Sequence, residues 1–257
     1  MDLKIREGFI ARWGKHFDGA SLPIVFYYTD GDEYAKIVKK PPSGRSCVIC
    51  DLAKVRRGEP LCYEANSVVC PGGKRYLGFS QSIMPNFEYF LSCGIPGKLE
   101  GERYKKSPEL VRGLMRTMKE FRAPCKFIVF KRWDKLEEMD NPEVVIFFAP
   151  PDVLSGLFTL VSFDEVEPNG VIAPFSAGCG SIVQYPYLEK ESKRPRGVLG
   201  MFDPSARPWV QKDVLSFAVP MNKFLRMIDN MDESFLITPT WSKVKRRIDG
   251  MEEDQAL

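Results

Sequence analysis

Residues 143–163 read EVVIFFAPPDVLSGLFTLVSF, and the fold class turns on them. Glu143 to Ala149 is a run of β-branched and aromatic residues, the composition of a buried strand. Pro150 and Pro151 end it, and Pro151 suits the first position of a helix, where a missing N–H costs nothing. Leu154, Leu157, Phe158 and Val161 then recur at helical spacing and predict its apolar stripe. A strand that passes at once into a helix is one α/β unit. DVLSFAVP (Asp213 to Pro220), followed by a helix from Met221 to about Asp229, is a second.

Outward from these units the chain alternates. Ile5, Phe9, Trp13 and Phe17 predict an amphipathic first helix, and LPIVFYY (Leu22 to Tyr28) a strand ended by the turn residues Thr29 to Asp32. A loop-rich cysteine segment follows, with a helical turn near Asp51 to Arg57 and a short strand over KRYLGFS (Lys74 to Ser80). Ser107, Pro108 and Glu109 form a helix start, with Leu110, Leu114, Met118 and Phe121 as the expected stripe. Cys125 to Trp133 reads as a core strand, GVIAPFS and RGVLGMF as two more, and Ser242 to Asp249 as a last basic helix before a frayed acidic tail, EEDQ. This order predicts an α/β or α+β fold, a mixed sheet with flanking helices, better than a doubly wound sheet. Pro168 to Gly170 is the expected hinge if the chain forms two lobes, a cysteine-rich 1–168 and a C-terminal 169–257.

The 257 residues carry a formal charge of +3, from 37 basic and 34 acidic side chains spread along the chain. The basic clusters, such as Lys193-Arg194, are short and have acidic neighbours, so they read as solvated surface and no nucleic-acid partner is expected. Charges interrupt every apolar run near the N-terminus, and Val144 to Pro151 is far too short for a bilayer span. A cytoplasmic protein without a membrane partner follows, and in that reducing compartment seven cysteines are not a disulfide framework.

Four of the seven lie between residues 47 and 70: Cys47, Cys50, Cys62 and Cys70. Cys47-x2-Cys50 can present two thiolates to one ion within a turn, with further ligands from elsewhere. Cys70 precedes Pro71, Gly72 and Gly73; a proline after the ligand occurs in iron–sulfur loops, and glycines let backbone N–H groups approach sulfur. Cys93 sits in another glycine-bearing loop. The metal set expected is therefore Cys47, Cys50, Cys70 and Cys93, holding an iron–sulfur cluster. Zinc fits less well, with one tight knuckle and a single histidine, His16, which reads as a packing or surface residue. Against both stands the reading of cysteine as a small buried hydrophobe.

Cys179, in SAGCGS, lies between glycines ahead of an expected helix, where a dipole favours the thiolate. It is the candidate catalytic thiol or a further ligand, while Cys125 belongs to the core. Asp203 and Arg207, in one polar turn, are candidate ligand-binding residues: Arg207 could fork onto a carboxylate or phosphate, or pair with Asp203. Walker, GxGxxG, G-x-S-x-G and H-E-x-x-H patterns are absent.

Several stretches together resemble the family known as domain of unknown function 169, found in archaea and anaerobic bacteria. They are SLPIVFYY, CDLAKVRRGEPL, CPGGKRYLGF, NPEVVIFFAPPDVL, GCGSIVQYP and LSFAVPMNKFLRMI. The resemblance implies that Cys50, Cys70 and Cys179 belong to one recurring pattern and share a site, with Cys62 and Cys93 confined to a subset of members. It implies no settled activity. The expected function is a cluster-binding redox or sulfur-handling enzyme working with a small molecule or a redox partner protein. The alternative is a metal-free small-molecule-binding module with reduced thiols and an apolar pocket.

Overall fold

A computed structural model describes residues 1–39 and 46–250 of the chain. Nine helices and seven strands are described: α1 (Leu3–His16), β1 (Ile24–Thr29), α2 (Val48–Arg56), β2 (Leu61–Tyr63), α3 (Pro71–Tyr76), α4 (Phe87–Phe90), α5 (Pro108–Thr117), β3 (Phe127–Arg132), β4 (Val144–Ala149), α6 (Pro151–Ser162), β5 (Val171–Ile172), α7 (Tyr185–Glu189), β6 (Gly197–Gly200), β7 (Leu215–Pro220), α8 (Met221–Asn230) and α9 (Pro239–Ile248). The acidic tail EEDQ lies outside the described residues.

The strands form one seven-stranded mixed sheet in the order β2-β3-β1-β4-β7-β6-β5. Its pairs are antiparallel except β5 with β6. The fold is therefore α+β. The seam between β4 and β7, six residues long from Val144↔Pro220 to Ala149↔Leu215, joins strands from both sides of residue 168.

Alternation along the strands divides the core. Val25, Val145, Phe147, Phe217 and Val219 face α1, α6, α8 and α9, which bring Phe9, Trp13, Leu157, Phe224 and Trp241 to the sheet. Gly156 in α6 makes this layer close. A Cβ there would lie 2.5 Å from the Trp241 ring and 2.7 Å from Phe17, so the helix forgoes about 1 kcal/mol of propensity for contact. On the other face Ile24, Phe26, Ile128, Phe130, Val144, Ile146 and Ala218 meet Val48, Ile49, Leu52 and Val55 of α2 together with Cys179, Ile182 and Val183. That second layer carries the thiols.

Three local expectations are corrected. Lys74 to Tyr76, read as part of a strand, are the end of α3: Pro71 takes the first helical position and the Cys70 thiol accepts a hydrogen bond from Gly73 N at 3.4 Å, capping the helix. Helix α5 starts at Ser107 as expected but buries Val111, while Leu110 is 54% exposed; Met118 is already extended and ends the helix before the expected stripe is complete. In α6, Phe158 likewise points to solvent and Leu160 takes its place in the core.

Candidate functional site

Cysteine stands at or near the start of three helices on one face of the sheet. Cys47 is the N-cap of α2 and Cys50 lies in its first turn. Cys70 is the N-cap of α3. Cys179 precedes a five-residue π-turn, Gly180–Gln184, that continues into α7. Such π-turns are uncommon and concentrate at functional positions.

The glycines flanking Cys179 let the other two helices close on it. A Cβ at Gly178 would lie 2.5 Å from Ile49 Cδ1 of α2, and one at Gly180 would lie 2.9 Å from the Tyr76 ring at the end of α3. The helices also meet each other, since a Cβ at Gly73 would come to 3.0 Å from Val48 Cγ2. Close backbone approach is what the pattern Gly178-Cys179-Gly180 provides. Met201, directly after β6, closes the back of this turn. It is buried in a left-handed conformation (φ 67°), and its sulfur lies 3.2 Å from where a Gly178 Cβ would be.

Cys179 is 8% exposed, and burial pushes its thiol well above the ordinary value; the nearby Cys47, Cys70, Asp203 and Cys50 add to the rise. The Cys50 thiol is pushed up to about 11, first by burial, then by the Cys47 charge and a hydrogen bond with Cys47. The structure thus brings together Cys47, Cys50, Cys70 and Cys179, from both halves of the sequence. Desolvation outweighs the helix dipoles, so Cys50 and Cys179 are neutral thiols near pH 7. The expectation that the helix start makes Cys179 a ready thiolate is corrected on this point. Among the described residues, no group of three or more His, Cys, Asp or Glu side chains is arranged to hold a metal ion.

The surroundings fix the thiols in place. Asp51, one residue beyond Cys50, accepts hydrogen bonds from Tyr63 Oη at 2.6 Å, from Ser46 Oγ at 3.1 Å and from Lys39 Nζ. Burial, then the bond to Asp51, holds the Tyr63 hydroxyl far above its usual range. The adjacency of Asp51 to Cys50 in a first helical turn is the signal by which sequence reasoning could have found it. Asp203 accepts from Gly178 N at 3.3 Å and from the Ser205 amide and hydroxyl at 3.0 and 2.8 Å, tying the Cys179 turn to the loop after β6.

Arg207 corrects the expected side-chain pairing with Asp203. Its guanidinium donates to the carbonyls of Val214 at 2.6 Å, Lys212 at 2.6 Å and Gln211 at 3.1 Å, bracing its own loop. The fork is directed at these carbonyls and not at Asp203. Cys93 is exposed on the loop after α4, with its sulfur 3.5 Å from the Gly94 carbonyl. Cys62 alternates with Tyr63 on β2 and so faces the opposite side of the sheet, packed among Tyr27, Tyr34, Phe127 and Val129. Cys125 lies beside Asp30 and Glu143. His16 is buried, 3.0 Å from Asp232, with its carbonyl accepting from Trp241 Nε1. Two hollows of about 480 and 420 Å³ lie by the Cys93–Arg103 loop and by Glu64–Lys126, and Phe79 lines the second.

An α+β protein with a four-thiol junction, built where three helices start against one sheet, is the class that fold and site define. The chain belongs to the family called domain of unknown function 169, described as uncharacterised ArCR, whose model matches residues 20–230. All four converging cysteines fall inside that span. No curated protein matches the chain, and no solved structure does. Among the described residues, no helix is long and apolar enough to cross a membrane.

Proposed function

We propose that Cys47, Cys50, Cys70 and Cys179 are the thiolate ligands of an iron–sulfur cluster, in a protein with a redox or sulfur-handling role. The observation that carries this reading is the meeting of four thiols from both halves of the chain, with glycines placed so that the helices bearing them can touch. The donor set fits chemically. It is all sulfur, it lacks histidine, and the Gly73 amide already donates to Cys70 Sγ. Relative to the expected set, Cys179 takes the place of Cys93, because Cys179 is among the other three thiols while Cys93 lies exposed on a loop.

The thiols are not yet in a ligating arrangement, so loading requires their side chains to close in. It also requires the neutral thiols to give up protons, which makes affinity rise with pH. When bound, a cluster supplies one-electron transfer. The chain's own contribution is to keep water away through Met201 and Ile49, and to hold the Cys179 turn through Asp203.

The test is iron and acid-labile sulfide per chain in protein purified without oxygen, for the parent and single serine variants. The reading expects iron and sulfide in the parent, loss in Cys70→Ser and Cys179→Ser, and retention in Cys93→Ser and Cys62→Ser. A parent that is colourless and free of iron and sulfide, or a Cys93→Ser variant that alone loses them, removes it.

A further inference from the structure

We infer that Cys47 and Cys50 form a reversible dithiol–disulfide couple that exchanges with small-molecule disulfides of the glutathione type. The inference goes beyond the cluster reading and stands without it.

Geometry singles out this pair from the seven cysteines. Side chains three apart on a helix have Cβ atoms about 5–6 Å apart, against roughly 3.5–4.5 Å in a disulfide. Cys47 is not itself helical. It is the N-cap, with extended backbone (φ −112°, ψ 127°), so its side chain can swing over the first turn without unwinding α2. Both stand in the first turn of α2, Cys47 as its cap and Cys50 three residues on. Both are half-buried, and so within reach of a small reagent, whereas Cys62 is fully buried on the other face and Cys179 is 8% exposed.

The chemistry balances with the reagent as oxidant. Attack opens at Cys47, the N-cap residue with extended backbone, whose thiolate displaces one thiolate from the reagent and forms a mixed disulfide. Cys50 then loses its proton to solvent and attacks the Cys47 sulfur, expelling the second thiolate. Two protein thiols have lost two protons and two electrons, and one disulfide has become two thiols. If the cluster reading also holds, the oxidised pair withdraws two of four ligands, so oxidation and loading exclude each other.

Both cysteines fall in one tryptic fragment, Ser46 to Lys54, which makes the product easy to read. Full-length protein, stripped of metal by anaerobic dialysis against a chelator, is equilibrated with oxidised and reduced glutathione over a range of ratios. It is then trapped with acid and iodoacetamide and digested. The couple predicts a Ser46–Lys54 fragment two hydrogens lighter and unalkylated, appearing at one midpoint ratio and restored by dithiothreitol. In Cys50→Ser the reaction should stop as glutathione on Cys47, a readout that needs only a folded chain, checked by circular dichroism. A parent fragment that stays doubly alkylated at every ratio, that stops as a mixed disulfide, or that links instead to Cys70 or Cys179 would overturn the inference. Iron content of the untreated protein is measured separately, so failure of one idea does not masquerade as failure of the other.

Discussion

Gly178→Ala is the perturbation that most directly tests how the thiol junction is held. The new Cβ would sit 2.5 Å from Ile49 Cδ1 and 3.2 Å from both Ala206 Cβ and Met201 Sδ. Carbon atoms prefer about 3.5–4.0 Å, so Ile49 must retreat by about 1 Å. Cδ1 is the free end of the Ile49 side chain, but Ile49 is buried, as are Val48 and Leu52 beside it on the same sheet face, so a turned side chain meets packed neighbours. Overpacking of this kind costs about 1–3 kcal/mol, and alanine returns up to about 1 kcal/mol of helix propensity. The expected loss is therefore about 1–2 kcal/mol, or roughly 2–8 °C in melting temperature for a chain of this size. The control is Gly72→Ala, whose Cβ would meet Cys70 Sγ at an unstrained 3.9 Å; it should stay within about 0.5 kcal/mol of the parent. Urea and thermal unfolding of the metal-free protein supply the numbers. Titration with an aromatic disulfide supplies a second readout, because a displaced α2 should uncover Cys179. A Gly178→Ala protein that melts with the parent and keeps Cys179 silent would refute the packing of Gly178 against Ile49.

Gly14 in α1 and Gly113 in α5 have nothing within 4 Å of an added Cβ, so Gly14→Ala and Gly113→Ala should each stabilise by up to about 1 kcal/mol; a fall in urea midpoint would contradict the open space. Asp140, fully buried, accepts from Lys131 Nζ at 2.9 Å, from Tyr34 Oη at 3.1 Å and from Tyr27 Oη. Asp140→Ala leaves the buried Lys131 ammonium with Glu137 as its ion-pair partner and takes the acceptor from the Tyr27 and Tyr34 hydroxyls; it should cost about 3–5 kcal/mol, much of it recovered in Lys131→Met/Asp140→Leu. Cys50 and Cys62, ordinarily near 9, are raised to about 11 and about 12, chiefly by burial. The folded chain keeps these protons after the unfolded chain has released them, so the stability they lend is complete below pH 9 and disappears as pH climbs through 11 and 12. Denaturant midpoints measured upward from pH 9 should decline, and Cys62→Ala should flatten the decline; a parent with a level profile would exclude it.

The strand-to-helix units were legible because strong local signals and tertiary packing agree there: Glu143 to Phe163 and Asp213 to Asp229 supplied strand composition, a proline boundary and helical spacing in one short run. Lys74 to Tyr76 misled because their composition suits a strand, while the cap that makes them helical is a thiol, an unusual capping group. Leu110 misled because an exposed leucine follows no periodic rule. Convergence of Cys50, Cys70 and Cys179 was expected from the family pattern, not from spacing. The place of Cys93 could not be read, since a glycine-bearing loop looks the same on the surface as at a site. Arg207 was misjudged because its partners are main-chain carbonyls, which leave no trace in side-chain composition.

The β4–β7 seam has a consequence for how the junction comes into being. Cys47, Cys50 and Cys70 leave the ribosome more than a hundred residues before Cys179, and the turn that carries Cys179 is tied through Asp203 to the loop between β6 and β7. Until β7 zips onto β4, the first three sulfurs wait as an open trio. A complete set of four thereby certifies that the last long-range strand pairing of the nascent chain has been made.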